Sequence, residues 1–205
     1  MPEESKKQKI LIYKGFKGPQ TVVNSKILKE YRRQLNICEV SELVVSRDKE
    51  FFPFAKYLFK HGLDTRDGIA YHPSGKIKIC LDAEPLNKLN SGSKLEKGAL
   101  IITPEEYEIL DGEEYSFSES ENLMHPKKNT RNFLLRADKG IPLGNIFLDA
   151  DYLKKPSKNI LLRSINLGAR DQGCQLNCSL SLNRKDGYVI GKLLDTSFAE
   201  VYPQT

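Results

Sequence analysis

The chain has 205 residues, 39% of them apolar and 29% charged, with a formal net charge of +5. That length can bury a core without disulfides or structural metals, and the mixed composition excludes a disordered chain. The first nine residues are polar, and no apolar run is longer than the four residues of Ala99–Ile102. A secretory leader and a bilayer-spanning helix are therefore not expected, and an intracellular, cytoplasmic protein with reduced cysteines is.

Lys9–Tyr13 reads as a buried strand, followed by a turn through Gly15-Phe16-Lys17-Gly18-Pro19. Asn24 or Ser25 is the expected cap of a helix to about Gln34, with Ile27, Leu28, Tyr31 and Leu35 on its apolar face. Lys26, Lys29 and Arg33 stack on another face, with Arg32 beside them. Glu42–Ser46 reads as a second strand and 48–61 as a second helix with Pro53 in its first turn. Ile69–His72 and Lys76–Cys80 flank Pro73-Ser74-Gly75 and predict a β-hairpin whose second strand alternates Lys and Ile, with one wet face.

Residues 86–98 look like a loop and mark a possible linker between a unit at 1–85 and a β-rich unit at 99–205, if the two are not one continuous domain. Ala99–Ile102 is a short strand, and Thr103-Pro104-Glu105-Glu106 opens a helix with a capping box. Residues 116–130 read as an exposed loop. Strands are expected at Phe133–Arg136, Asn145–Leu148 and Asn159–Ile165, and Cys178–Leu182 with Tyr188–Leu194 reads as a second hairpin. The fold class is α+β: an N-terminal β-α-β-α-β-β unit followed by a strand-rich half. The alternative is a Rossmann-like α/β N-terminal unit with a small β domain.

The charge is layered along the chain. Residues 1–60 hold 13 Lys/Arg against 7 Asp/Glu, residues 61–125 hold 6 against 13, and residues 126–205 again hold 13 against 7. Eight carboxylates and no basic residue lie between Glu105 and Glu121. Such a run is either a solvated surface or a cover for a basic surface, in cis or on a partner.

Motifs for chemistry are sparse. His61, His72 and His125 have no nucleophile tied to them and read as structural. The Cys174 and Cys178 pair has no second ligand pair, so buried thiols are expected and no metal site is. Gly15, Lys17 and Gly18 sit between a strand and a helix, where an anion or nucleotide could touch the backbone, yet they match neither glycine-rich phosphate motif. Asp67, Asp82 and Glu84 cluster around the first hairpin. They are the candidate catalytic set for a Mg²⁺-dependent phosphodiester hydrolase, the only reading that implies a cofactor. Lys26, Lys29, Arg32, Arg33, Lys127, Lys128 and Arg131 are the candidate anion or nucleic-acid contacts.

The leading expectation is a non-enzymatic binding or regulatory module that docks on a macromolecular partner, nucleic acid or protein. The hydrolase is the alternative, and a nucleotide-binding α/β unit the third reading.

Overall fold

The computed structural model describes residues 11–54, 62–116, 143–148, 152, 155–170 and 173–195. The strand expected at Phe133–Arg136, most of the second expected helix, and His61, His125, Lys127, Lys128 and Arg131 lie outside them.

The fold is α+β, built on two sheets. Strand β1 (Tyr13–Lys17), helix α1 (Gln20–Lys29), strand β2 (Arg32–Gln34) and helix α2 (Ile37–Val45) come first. They are followed by β3 (Leu63–His72) and β4 (Lys76–Cys80). Residues 52–54 are helical between α2 and β3, so the expected β-α-β-α-β-β order gains a helix there, and the boundaries move. Gly15 and Lys17 lie in β1, so the first strand begins four residues later than its apolar run suggested.

Glu42–Ser46, expected as a strand, is the last turn of α2 and its cap. The reason is a capping box. The Asn36 side chain accepts the Glu39 N–H at 2.8 Å, and the Glu39 carboxylate accepts the Asn36 N–H at 3.2 Å. Asn24 is no cap but a buried residue inside α1. Its amide reaches the carbonyls of Leu86, Asn87 and Leu89 and satisfies the end of a short helix, α3 (Glu84–Asn87).

After α3 come β5 (Leu95–Glu96), β6 (Ala99–Ile102), α4 (Pro104–Ile109) and β7 (Gly112–Ser116). The capping box at Thr103 and Glu106 forms as the sequence indicates. The remaining strands are β8 (Leu143–Phe147), β9 (Ile160–Arg170), β10 (Gly173–Asn177) and β11 (Tyr188–Leu193). The second hairpin does not form. Leu182 uses its N–H on Gly98 and its carbonyl on Gln20, and β11 inserts antiparallel between β1 and β2.

That insertion gives the smaller sheet the order β1-β11-β2. The larger one runs β5-β6-β9-β3-β4-β7, with β10 on β9 and β8 on β10. Strands from both sides of residues 86–98 share each sheet. Every described ladder except β8–β10 is antiparallel, which rules out the Rossmann-like alternative.

The small sheet is covered on both faces. Phe16 and Val189 pack against Val23 and Ile27 of α1. On the other face Tyr13 and Ile190 join Ile37, Val40 and Phe51 in the main core, which continues through Tyr71, Ile77, Ile79 and Leu161. Lys78 does not face water as the alternation implied. It is buried, with its ammonium on the Tyr107 carbonyl at 2.9 Å and over the Tyr107 ring. No helix among the described residues is long and apolar enough to cross a membrane.

Gly15 has a packing role: a Cβ there would stand 1.9 Å from the Tyr188 hydroxyl. Gly15→Ala is expected to lose about 1–3 kcal/mol of unfolding free energy. Chemical denaturation of Gly15→Ala, Tyr188→Leu and the double variant checks this. A coupling above about 0.5 kcal/mol is expected, and strict additivity would show that the Tyr188 ring is not what the glycine makes room for.

Candidate functional site

Strand β3 carries a bulge. Its ladder with β9 pairs Asp64 with Asn166 and Gly68 with Ser164, so residues 65–67 of β3 stand opposite residue 165 alone. The extra residues turn Asp64 and Asp67 inward and Arg66 outward, and a polar network gathers on them.

Asp64 is buried and meets Arg184 and the Asn166 amide at 2.6 and 2.9 Å. Burial pushes its pKa above the ordinary carboxylate value, and the Arg184 guanidinium works against that shift. The Thr65 hydroxyl donates to the Ile165 carbonyl at 2.7 Å, and the Ser164 hydroxyl donates to the Thr65 carbonyl at 2.7 Å. The Arg66 N–H donates to Leu35 at 3.2 Å, and its carbonyl accepts from Ala83 at 2.9 Å. The Gln34 amide closes the group on the Asp64 carbonyl at 2.8 Å.

Asp67 is fully buried and uses both carboxylate oxygens. One accepts the first N–H of α2, from Ile37, at 2.6 Å, and the other accepts the Asp82 N–H at 3.0 Å. Burial pushes its pKa up to about 7, against these donors, and the Asp82 charge adds to the rise.

Asp82 has φ +53, a left-handed conformation that costs a non-glycine residue about 1–2 kcal/mol. It lies at the surface, 2.5 Å from Arg66 Nε, and accepts the Asn36 amide on both oxygens at 3.1 and 3.3 Å. Glu84 points away and pairs with Lys88 at 2.8 Å in solvent. The candidate hydrolase set is thus divided: Asp67 is a clamp with both oxygens engaged, Asp82 a counter-ion, Glu84 a surface residue. Among the described residues no group of three or more His, Cys, Asp or Glu side chains converges to hold a metal ion.

Gly15 and Lys17 lie in β1, and Gly18 follows it. The Gly18 N–H donates to Gly187 and the Gln20 N–H at the start of α1 donates to Leu182, so these amides are already bonded within the protein. Cys80 and Cys178 are buried thiols, pushed up to about 12 by desolvation. His72 is structural: its Nδ1 accepts the Ser74 N–H at 3.1 Å in the hairpin turn.

The four candidate cations of the N-terminal region part company. Helix α1 ends at Lys29, and Arg32 and Arg33 point to opposite faces of β2. Arg32 is 4% exposed, and its guanidinium donates to the carbonyls of Leu11, Ile12 and Gly191. Arg33 grips both oxygens of Glu39. Lys26 and Lys29 stay in solvent, where no ion pair holds them among the described residues. Leu28 and Tyr31, expected on the apolar face of the helix, are exposed at the end of α1.

Tyr31 is 78% exposed, with φ +54. It follows the cap residue of α1, where the N–H of a left-handed residue, usually glycine, reaches back to close the helix, here on Leu28 at 3.1 Å. Its carbonyl accepts the N–H of Leu194, which is also exposed, and Arg32 holds the backbone of exposed Leu11 beside it. The surface therefore combines leucines, one tyrosine and two lysines. The missed signal was the absence of a glycine after Lys29-Glu30, which puts Tyr31 in the position glycine normally takes.

No family model, curated protein or solved structure matches this chain.

Asp67 generates a pH prediction. Its folded pKa lies above the unfolded value, so its contribution to stability is complete below about pH 4 and is lost as pH rises to about 7. The unfolding free energy of the wild type, measured against Asp67→Asn to cancel other groups, should fall between pH 5 and 7.5. The slope is at most about 1.4 kcal/mol per pH unit. A difference independent of pH would mean that Asp67 is ionised throughout.

Proposed function

We propose that this chain is a binding module that docks on a macromolecular partner through the corner formed by the end of α1 and the start of β2. The observation that carries the reading is Tyr31. A large aromatic side chain stands almost fully in water, at a backbone position where glycine would relieve strain, between exposed Leu28 and Leu194. Strain kept at an exposed aromatic marks a position whose side chain has work outside the fold. Tyrosine and arginine dominate the energetics of protein interfaces, and leucine supplies apolar area around such an anchor.

A protein partner fits this corner better than nucleic acid. Phosphate backbones reward many cations together, and Arg32 and Arg33 are already spent within the fold. Lys26 and Lys29, exposed in the last turn of α1, add positive charge near this corner and suit carboxylates on a partner that also offers leucine or aromatic side chains. Nothing in the geometry favours the hydrolase set, since Asp67 has both oxygens bonded to backbone N–H groups.

Peptide selection against the immobilised chain tests the reading. Selected peptides are expected to carry Asp or Glu beside Leu, Phe or Tyr. Tyr31→Gly is expected to bind them at least about tenfold more weakly while gaining about 1 kcal/mol of stability from the relieved backbone. A fold without a docking role would show only the gain in stability. The double charge reversal Lys26→Glu, Lys29→Glu should also weaken binding. Peptides that bind all variants alike would overturn the assignment. Duplex DNA binding whose log affinity falls against log salt with a slope near roughly −2, for two phosphate contacts, would turn it toward nucleic acid.

A further inference from the structure

We propose that Arg66 is the centre of a binding site for a small-molecule oxyanion, a carboxylate or phosphate that docks end-on against its terminal guanidinium nitrogens. The site is separate from the α1 corner and does not depend on the docking reading.

The bulge holds Arg66 by its backbone from both sides, through Leu35 and Ala83. Its side chain is 17% exposed, so most of it is buried while its tip reaches water. Asp82 stands 2.5 Å from Nε, yet that nitrogen is buried and the contact lacks hydrogen-bond alignment. Among the described residues the guanidinium donates no hydrogen bond at all, although it carries five N–H donors. A guanidinium so positioned presents a rigid fork, the geometry that binds carboxylate and phosphate oxygens two at a time.

The surroundings favour an anion and fix the direction of approach. Asp82 occupies the Nε edge and is itself pinned by Asn36 and by its own N–H on Asp67. The Nη end is left for a ligand. Arg33 and Glu39 form the neighbouring pair, and Lys192 lies 4.0 Å from Glu39 with its side chain partly in solvent. Burial works against the lowered pKa of Glu39, which the Arg33 guanidinium holds down with a smaller contribution from Arg66. The Glu39 hydrogen bond raises the pKa of Arg33 with a smaller contribution from Asp82, so these side chains share one electrostatic neighbourhood. Three cations (Arg33, Arg66, Lys192) and the carboxylates of Glu39 and Asp82 make up this neighbourhood. Asp67 lies beneath, turned away onto its two N–H donors.

The test uses acetate and inorganic phosphate as separate probes at constant ionic strength, with chloride as the reference anion. Thermal melts of the whole chain and of Arg66→Lys, which keeps the charge and loses the fork, are read in parallel. The wild type is expected to gain about 3 °C at ten times a dissociation constant on the order of 1 mM, saturably, with Arg66→Lys gaining less than a third of that. The probe with the larger shift names the source as a carboxylate or a phosphate. In ¹⁵N-labelled protein the Arg66 guanidinium N–H signals should move along the same titration. Equal shifts in both proteins, or none up to about fifty times that concentration, would overturn the site. Tyr31→Gly should leave the titration unchanged, which separates failure here from failure of the docking surface.

Discussion

A two-residue excess in β3 organises this protein. Inserting residues 65–67 against one residue of β9 drives two carboxylates into the interior, where an ionised carboxyl without partners costs several kcal/mol. The surrounding elements sit where they can offset that cost. Arg184 and Asn166 come to Asp64, while the first N–H of α2 and the N–H of Asp82 come to Asp67. The backbone of the bulge takes Leu35, Ala83 and the Ser164 hydroxyl as partners, and the Thr65 hydroxyl takes the Ile165 carbonyl. The small sheet, α2, the turn before α3 and the loop before β11 thus meet at one place because each supplies a donor or acceptor that the bulge exposes. Removing one partner leaves a buried polar group unmet, so the network is sensitive as a unit.

Local signals were legible in the sequence where one residue type answers one backbone demand. The Thr103 to Glu106 cap and the turn at Pro73-Ser74-Gly75 form as read. What failed depended on distant partners. Glu42–Ser46 has the β-branched content of a strand, but the cap at Asn36 commits the segment to a helix. Cys178–Leu182 looked like half of a hairpin, yet β11 finds its neighbours in β1 and β2, far back in the chain, pairing Lys192 with Tyr13 and Gly191 with Gln34. The candidate site was read by residue type, and type does not distinguish a cation in water from one in the fold. Arg32 and Lys26 are six positions apart: one is enclosed by carbonyls, the other free in solvent. Arg66 was passed over because Asp64, Thr65, Arg66 and Asp67 follow one another as an ordinary polar stretch, and only the bulge shows that they point different ways.

Part of the acidic run covers basic residues of its own sheet: Glu114 of β7 pairs with Lys76 at 2.7 Å, and Tyr107 of α4 caps Lys78. These contacts tie β7 and α4 to β4 and do not involve the lysines of α1. Glu30 is held by Lys14 at 2.7 Å, so the α1 corner keeps its own basic character with one acid already engaged.

The position of β11 has a consequence for how the chain is made. Strands β1 and β2 do not pair with each other; the strand that joins them ends at Leu193. During synthesis from the N-terminus, both wait with unpaired edges until β11 has been made. The central strand β9 is likewise late relative to β3 and β6, which it joins. Closure over such separations is slow, and open strand edges invite pairing with other chains. The nascent protein is therefore exposed to aggregation before β11 is available, and loss of β11 would leave the small sheet without its middle.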